Sequence, residues 1–184
     1  PEHLSLYLLE IHESTPLAEQ VRSGRRKPID EELAAEMYEM MLDRLADAGY
    51  EQYEIANFAK FGFESHHNSK YWTLDPVYGF GVSAHSFDGT QRYANVRDTA
   101  KYVEKIESDT SPEAFREDID RESESIFLGL RLEQGIEMDS SMLTKYINEI
   151  EQLVADDLVV VENGRLKLTR RGKLFSNEVF AEFV

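Results

Sequence analysis

The 184 residues carry 36 acidic against 20 basic side chains, a formal net charge of −16, and a surface that negative repels a phosphate backbone, which argues against nucleic acid as a partner. With no cysteine there is no disulfide, no thiolate zinc site, no cysteine nucleophile and no iron–sulfur cluster held by thiolates of these residues. The apolar share of 41%, without any apolar run of 18 residues or a charged-then-apolar start, reads as a soluble cytoplasmic protein with no membrane span.

The chain opens on Pro1 and runs almost at once into Leu4-Ser5-Leu6-Tyr7-Leu8-Leu9, a predicted strand. A chain that begins in mid-strand is expected to be part of a longer protein, with the amino-terminal half of that parent as a neighbour. The unpaired edge at residues 4–9 would otherwise favour self-association. Residues 10–15 read as a polar turn, a short helix starts at Pro16, and Arg22-Ser23-Gly24-Arg25-Arg26-Lys27-Pro28 forms a basic loop. Asp30 offers a helix N-cap, and Leu33, Met37, Met41, Leu45 and Ala48 recur at helical spacing until Gly49; this Met-rich face is expected to pack into a core. Tyr53 to Phe58 and Tyr78 to Ala84 read as the second and third strands.

Strand, helix, strand in that order predicts βαβ units around a parallel sheet. About 110 residues cannot close an eight-stranded barrel, which takes roughly 200 or more. The predicted fold class is therefore α/β, a partial (β/α) barrel segment over residues 1–110, followed by a small α+β winged-helix-like domain over residues 111–184. In the second part Ser111 can cap a helix with Pro112 at its first position. Helices are expected around Ile126, Phe127 and Leu130 and from Ser141 to Asp156. Leu158-Val159-Val160-Val161 and Arg165-Leu166-Lys167-Leu168 flank the turn Glu162-Asn163-Gly164 as a hairpin, and a last helix carries Leu174, Val179, Phe180 and Phe183. Arg165, Lys167, Arg170, Arg171 and Lys173 cluster on and after that hairpin, where a wing could touch phosphates, so a nucleic-acid module is the alternative from another functional class.

Residues 50–93 hold 11 of the 20 aromatic residues, the only Trp and three of the five His. A flat, largely apolar ligand needs aromatic walls and nitrogen ligands of this kind, although an aromatic-rich core shows the same composition. Three blocks stand in order here: Gly49-Tyr50-Glu51-Gln52-Tyr53-Glu54-Ile55-Ala56-Asn57-Phe58-Ala59, then Gly62-Phe63-Glu64-Ser65-His66-His67-Asn68-Ser69-Lys70-Tyr71-Trp72, then Gly79-Phe80-Gly81-Val82-Ser83-Ala84-His85-Ser86. In order and spacing they resemble the radical SAM family of oxygen-independent coproporphyrinogen III oxidases and HemW-type haem chaperones. The likeness covers residues 2–105, and continues weakly through Leu128-Gly129-Leu130-Arg131 and Gly135 into what the family has as a HemN carboxy-terminal domain.

His67-Asn68-Ser69-Lys70-Tyr71-Trp72 matches the His-Asn-x-x-Tyr-Trp motif of the haem-chaperone branch. The resemblance implies haem binding by His67, Asn68, Tyr71 and Trp72, and haem transfer to acceptor proteins. His67 would be the ligand to haem iron, with His66 as the alternative; Tyr71 would share its face if the segment is helical, Trp72 could stack on the porphyrin, and the Asn68 amide could bond a propionate. The other activity the family implies is oxidative decarboxylation of coproporphyrinogen III propionates. By the same resemblance His85 and Glu10, each after a strand, are candidates for an S-adenosylmethionine pocket, whereas Gly79-x-Gly81 alone is weak evidence for phosphate binding. His12 stands where the family often has Glu, and Phe61 where many members have Pro. The cysteine triad that would hold a [4Fe–4S] cluster is absent, so no residue of this chain is assigned a catalytic role and reductive cleavage of S-adenosylmethionine is not expected of these residues alone.

Overall fold

Asp30 accepts a hydrogen bond from the Leu33 N–H and so starts the longest helix, α2 (Glu31–Asp47), which ends just before Gly49. In the computed structural model, which describes all 184 residues, α2 belongs to the first of two compact units, Pro1–Glu64 and Ser65–Val184. The first unit also holds β1 (His3–Ser5), α1 (Pro16–Arg22), β2 (Glu51–Glu54) and β3 (Asn57–Ala59). Thr15 caps α1, with Pro16 at its first position.

The strands of this unit form one antiparallel sheet in the order β1-β3-β2. The single strand expected over residues 53–58 is in fact two, folded back at Ile55 and Ala56. The cause is Glu54, whose almost fully buried carboxylate accepts from the Ala56 N–H at 2.8 Å and from the Asn57 amide. Ser5 donates to Asn57 in turn, which ties β1 to the same turn. The expected strand through Leu9 is short for the same reason: after Ser5 one further bond, Leu6 N–H to the Ala56 carbonyl, ends the pairing. The Met-rich face of α2 packs only in part, with Met41 and Leu45 half-buried. Leu33 and Met37 are 52% and 57% exposed, and Tyr38 is the buried residue of the helix.

The second unit carries α3 (His66–Trp72), β4 (His85–Phe87), β5 (Gln91–Asn95), α4 (Thr99–Glu107), β6 (Glu113–Asp118), α5 (Arg121–Gly129), β7 (Ile136–Glu137), α6 (Ser140–Ala155), β8 (Val159–Glu162), β9 (Arg165–Leu168), α7 (Arg170–Leu174) and α8 (Ser176–Ala181). Its two sheets run β4-β5-β6 and β7-β9-β8, and every pairing is antiparallel. The parallel βαβ arrangement expected from element order is therefore not formed within these residues, and no barrel closes. Residues 78–84 are not a strand, because Gly81 (φ 106) and Ser83 (φ 60) turn the chain through the left-handed region. Ser111 and Pro112 start no helix. The Pro112 carbonyl accepts from the Val96 N–H, and the chain stays extended into β6, which lies beyond residue 110 yet pairs with β5.

The expected hairpin is present as β8 and β9. Leu166, Val159, Val179 and Phe183, all nearly inaccessible, form the core beneath it with Ile126, Leu130, Met142, Ile150 and Leu153. Tyr146 meets the Phe183 ring at 5.3 Å where α6 kinks. Each such apolar side chain contributes about 1.5–3 kcal/mol when buried. The last helix is broken in two at Phe175.

Asp88 closes the turn between β4 and β5. Its carboxylate accepts from the Gln91 and Thr90 N–H groups and the Thr90 hydroxyl, and Arg116 lies 3.0 Å from its second oxygen. These donors, the Gln91 N–H foremost, lower its pKa from the ordinary 3.8 to about 2. A depressed carboxylate stabilises the fold above its unfolded pKa, and that stabilisation disappears as pH falls from about 4 to about 2. Urea midpoints across that window are expected to fall less steeply in Asp88→Asn than in the wild type; parallel slopes would remove Asp88 from the acid response.

Candidate functional site

Ser65 caps α3 by accepting from the Asn68 N–H at 3.2 Å, and the helix then runs for seven residues. Positions four apart share a helix face, so His67 and Tyr71 stand together. The Tyr71 hydroxyl lies 3.2 Å from His67 Nε2, and the rings meet edge to face at 5.2 Å between centroids. Both side chains are exposed, as is that of His66, whereas Asn68 is half-buried. Trp72 turns the other way. Its indole is half-buried, the Arg131 guanidinium lies 4.3 Å from the centre of its ring, and the buried indole N–H has no hydrogen-bond partner. One face of the ring that was expected to stack on a porphyrin is therefore already occupied by a cation from just beyond α5.

Two hollows flank α3 within this unit. A cleft of about 530 Å³ runs between the end of α3, α5, β7 and the start of α6, with Trp72, Ile126, Ile136 and Met142 in its wall and Glu122 and Arg165 beside them. A smaller cavity of about 110 Å³ is lined by Tyr71, Leu74, Val77, His85 and Phe87, with Lys70, Asp75 and Arg92 among its polar lining. Arg92 is held there by a salt bridge to Glu124.

His85 begins β4, is exposed, and meets Phe115 of β6 edge-on at 6.0 Å. Glu10, the other residue carried over for S-adenosylmethionine, is exposed in a loop of the first unit, outside the unit that holds His85. Two contact residues escaped the sequence reading. Arg131 left no local signal, since only tertiary folding brings it to Trp72. Phe115 did leave one, as the lone aromatic of the charged strand Glu113–Asp118.

The basic residues near the hairpin are largely engaged: Arg165 bonds the Gln134 and Gly135 carbonyls and Glu137, Lys167 pairs with Glu162, Lys173 with Glu133, and Arg171 lies over the Phe175 ring. No three His, Asp or Glu side chains gather as a metal site, and no helix is long and apolar enough to cross a membrane.

Residues 117–175 match the family model of the HemN C-terminal domain. The chain is 33% identical to the heme chaperone HemW of Bacillus subtilis over its whole length, covering 51% of that protein, and 33% identical to the heme chaperone HemW of Mycobacterium tuberculosis over 97% of its length, covering 46%. Among solved structures, that of the Escherichia coli coproporphyrinogen III oxidase HemN, described as a radical SAM enzyme, superposes with a TM-score of 0.72 at 15% identity, over 100% of this chain and 48% of that one. The chain thus spans about half the length of these relatives.

Proposed function

Because this chain belongs to the HemW/HemN-type family of radical SAM proteins, we propose that it takes part in haem trafficking, binding haem at α3 through His67 and releasing it to acceptor proteins. The observation that carries this reading is the exposed His67 imidazole, set one turn from the exposed Tyr71 ring on a capped helix. A neutral imidazole is an axial ligand for haem iron, and an accessible one suits a cargo that must leave again. The residues present fit such a cargo. His67 offers the nitrogen, Tyr71 flanks the ring system, and Asn68, next to His67, offers an amide for a propionate.

Trp72 serves differently. By stacking under Arg131 it holds α3 to the rest of the unit, so its role is to position His67. Within residues 111–184 the order α5, β7, α6, β8, β9 supports reading a winged-helix-like scaffold for that anchor, with β6 joined instead to the sheet of β5. A [4Fe–4S] cluster has no thiolate ligand among these residues.

Haemin titrated into the 184-residue chain is expected to give a shifted Soret band that is lost or strongly weakened in His67→Ala and kept in His12→Ala. Equal binding by the wild type and His67→Ala would overturn the assignment. Ligation through Nε2 also requires the Tyr71 hydroxyl to give way. A net hydrogen bond contributes about 0.5–1 kcal/mol here, so Tyr71→Phe is expected to bind haem about two- to five-fold tighter in the same titration.

A further inference from the structure

His85 is drawn by the resemblance toward S-adenosylmethionine, but its surroundings are those of the haem-binding helix. It lines the same small cavity as Tyr71, the residue that contacts His67. Its side chain is exposed, no hydrogen bond holds either ring nitrogen, and its ring is steadied edge-on by Phe115.

The loop before it is pressed against its backbone. The Gly79 N–H donates to the Ser86 hydroxyl at 2.9 Å, and a Cβ on Gly79 would lie 2.3 Å from the His85 carbonyl oxygen, so only glycine fits there. That close approach leaves the two neighbours of Gly79 displayed, Tyr78 at 63% and Phe80 at 90% exposure. Tyr71, which lines the cavity with His85, and Phe115, which meets the His85 ring, are exposed too, so His85 has an accessible aromatic ring on each of these two sides.

The character of the occupant follows from shape and charge. A cavity of about 110 Å³ is well below the roughly 300–1,000 Å³ of sites that engulf a small ligand, so a large flat ring would stand at its mouth and not inside it. Lys70, which no carboxylate pairs, brings a cation to that mouth in a chain of net charge −16, which suits a ligand with a peripheral carboxylate; Arg92 is committed to Glu124, and Asp75 lines the same cavity.

We infer that His85 belongs to the tetrapyrrole site, offering a second imidazole to iron bound at His67, while Lys70 meets a propionate. The inference rests on the haem-binding reading above and adds a ligand to it. No bond order or oxidation state changes; a neutral ring nitrogen replaces water on ferric iron.

The test is absorbance and electron paramagnetic resonance of the 184-residue chain with ferric haemin. The wild type is expected to be six-coordinate and low-spin. His85→Ala and His85→Phe are both expected to turn high-spin, with affinity lower on the order of tenfold. His85→Phe keeps an aromatic ring against Phe115, so it separates loss of the nitrogen from loss of packing and decides the matter if His85→Ala fails to fold. Metal-free protoporphyrin, which has no iron to ligate, is expected to bind the wild type and His85→Phe alike. If His67→Ala loses haem while both His85 variants keep the wild-type spin state and affinity, this inference falls and the haem-binding reading stands. Absence of any haem binding by the wild type overturns both.

Discussion

Gly172→Ala is expected to destabilise the second unit by about 2 kcal/mol or more, the balance of two opposed effects. Alanine inside a helix is favoured over glycine by about 1 kcal/mol. Against that, the new Cβ would lie 1.8 Å from the Leu158 carbonyl oxygen and 2.8 Å from its carbon, and overpacking of a tight contact costs about 3 kcal/mol. The neighbour that would have to move is backbone. The same Leu158 carbonyl accepts from the Thr169 N–H at 3.0 Å, the Leu158 N–H donates to Leu153 at the end of α6, and Thr169 caps α7 by accepting from Gly172 itself. Shifting Leu158 therefore disturbs α6, β8 and α7 together. Urea unfolding followed by circular dichroism measures the cost, and a variant as stable as the wild type would show that the α7–β8 contact is looser than described.

Trp72→Ala is expected to lower haem affinity on the order of tenfold although the indole ligates nothing, and to cost about 2 kcal/mol of stability. A helix of seven residues has almost no stability of its own in water. What holds α3 is its Ser65 cap and the packing of its inward face, where Arg131 over the indole contributes about 0.5–2 kcal/mol. Without that anchor His67 is presented by a fraying segment, so binding weakens while the spectrum of the bound form keeps its type. Loss of a ligand would change the spectrum itself, which distinguishes the two roles. Trp72→Phe, which retains a ring for the guanidinium, should recover most of the affinity. Wild-type binding by Trp72→Ala would sink the positioning role.

The elements legible in the sequence are those whose determinants are local. Asp30 with its helical repeat up to Gly49, the stretch behind α6, and the Glu162-Asn163-Gly164 turn each carry their instructions within a few residues. What stays illegible depends on side chains that act at a distance or through burial. Glu54 is indistinguishable in the sequence from any solvated acid in a strand, yet buried it folds residues 53–58 into a hairpin. Residues 78–84 have strand composition, but Gly79 must lie against the backbone of His85 and the chain turns twice there. The strand–helix–strand order of the first hundred residues fits parallel and antiparallel pairing equally, and hydrogen-bond partners alone decide between them. The helical placement of His67 and Tyr71 on one face could be anticipated from their spacing. The inward turn of Trp72 could not, because Arg131 lies 59 residues further along the chain.

The stack at the end of α3 also gives the protein a built-in optical gauge. With one indole in the whole chain, tryptophan emission comes from a single place, pinned beneath a guanidinium and one residue from the Tyr71 ring. Any iron porphyrin seated on the neighbouring helix face would quench that emission, so arrival and departure of such a cargo could be followed in real time without an attached dye.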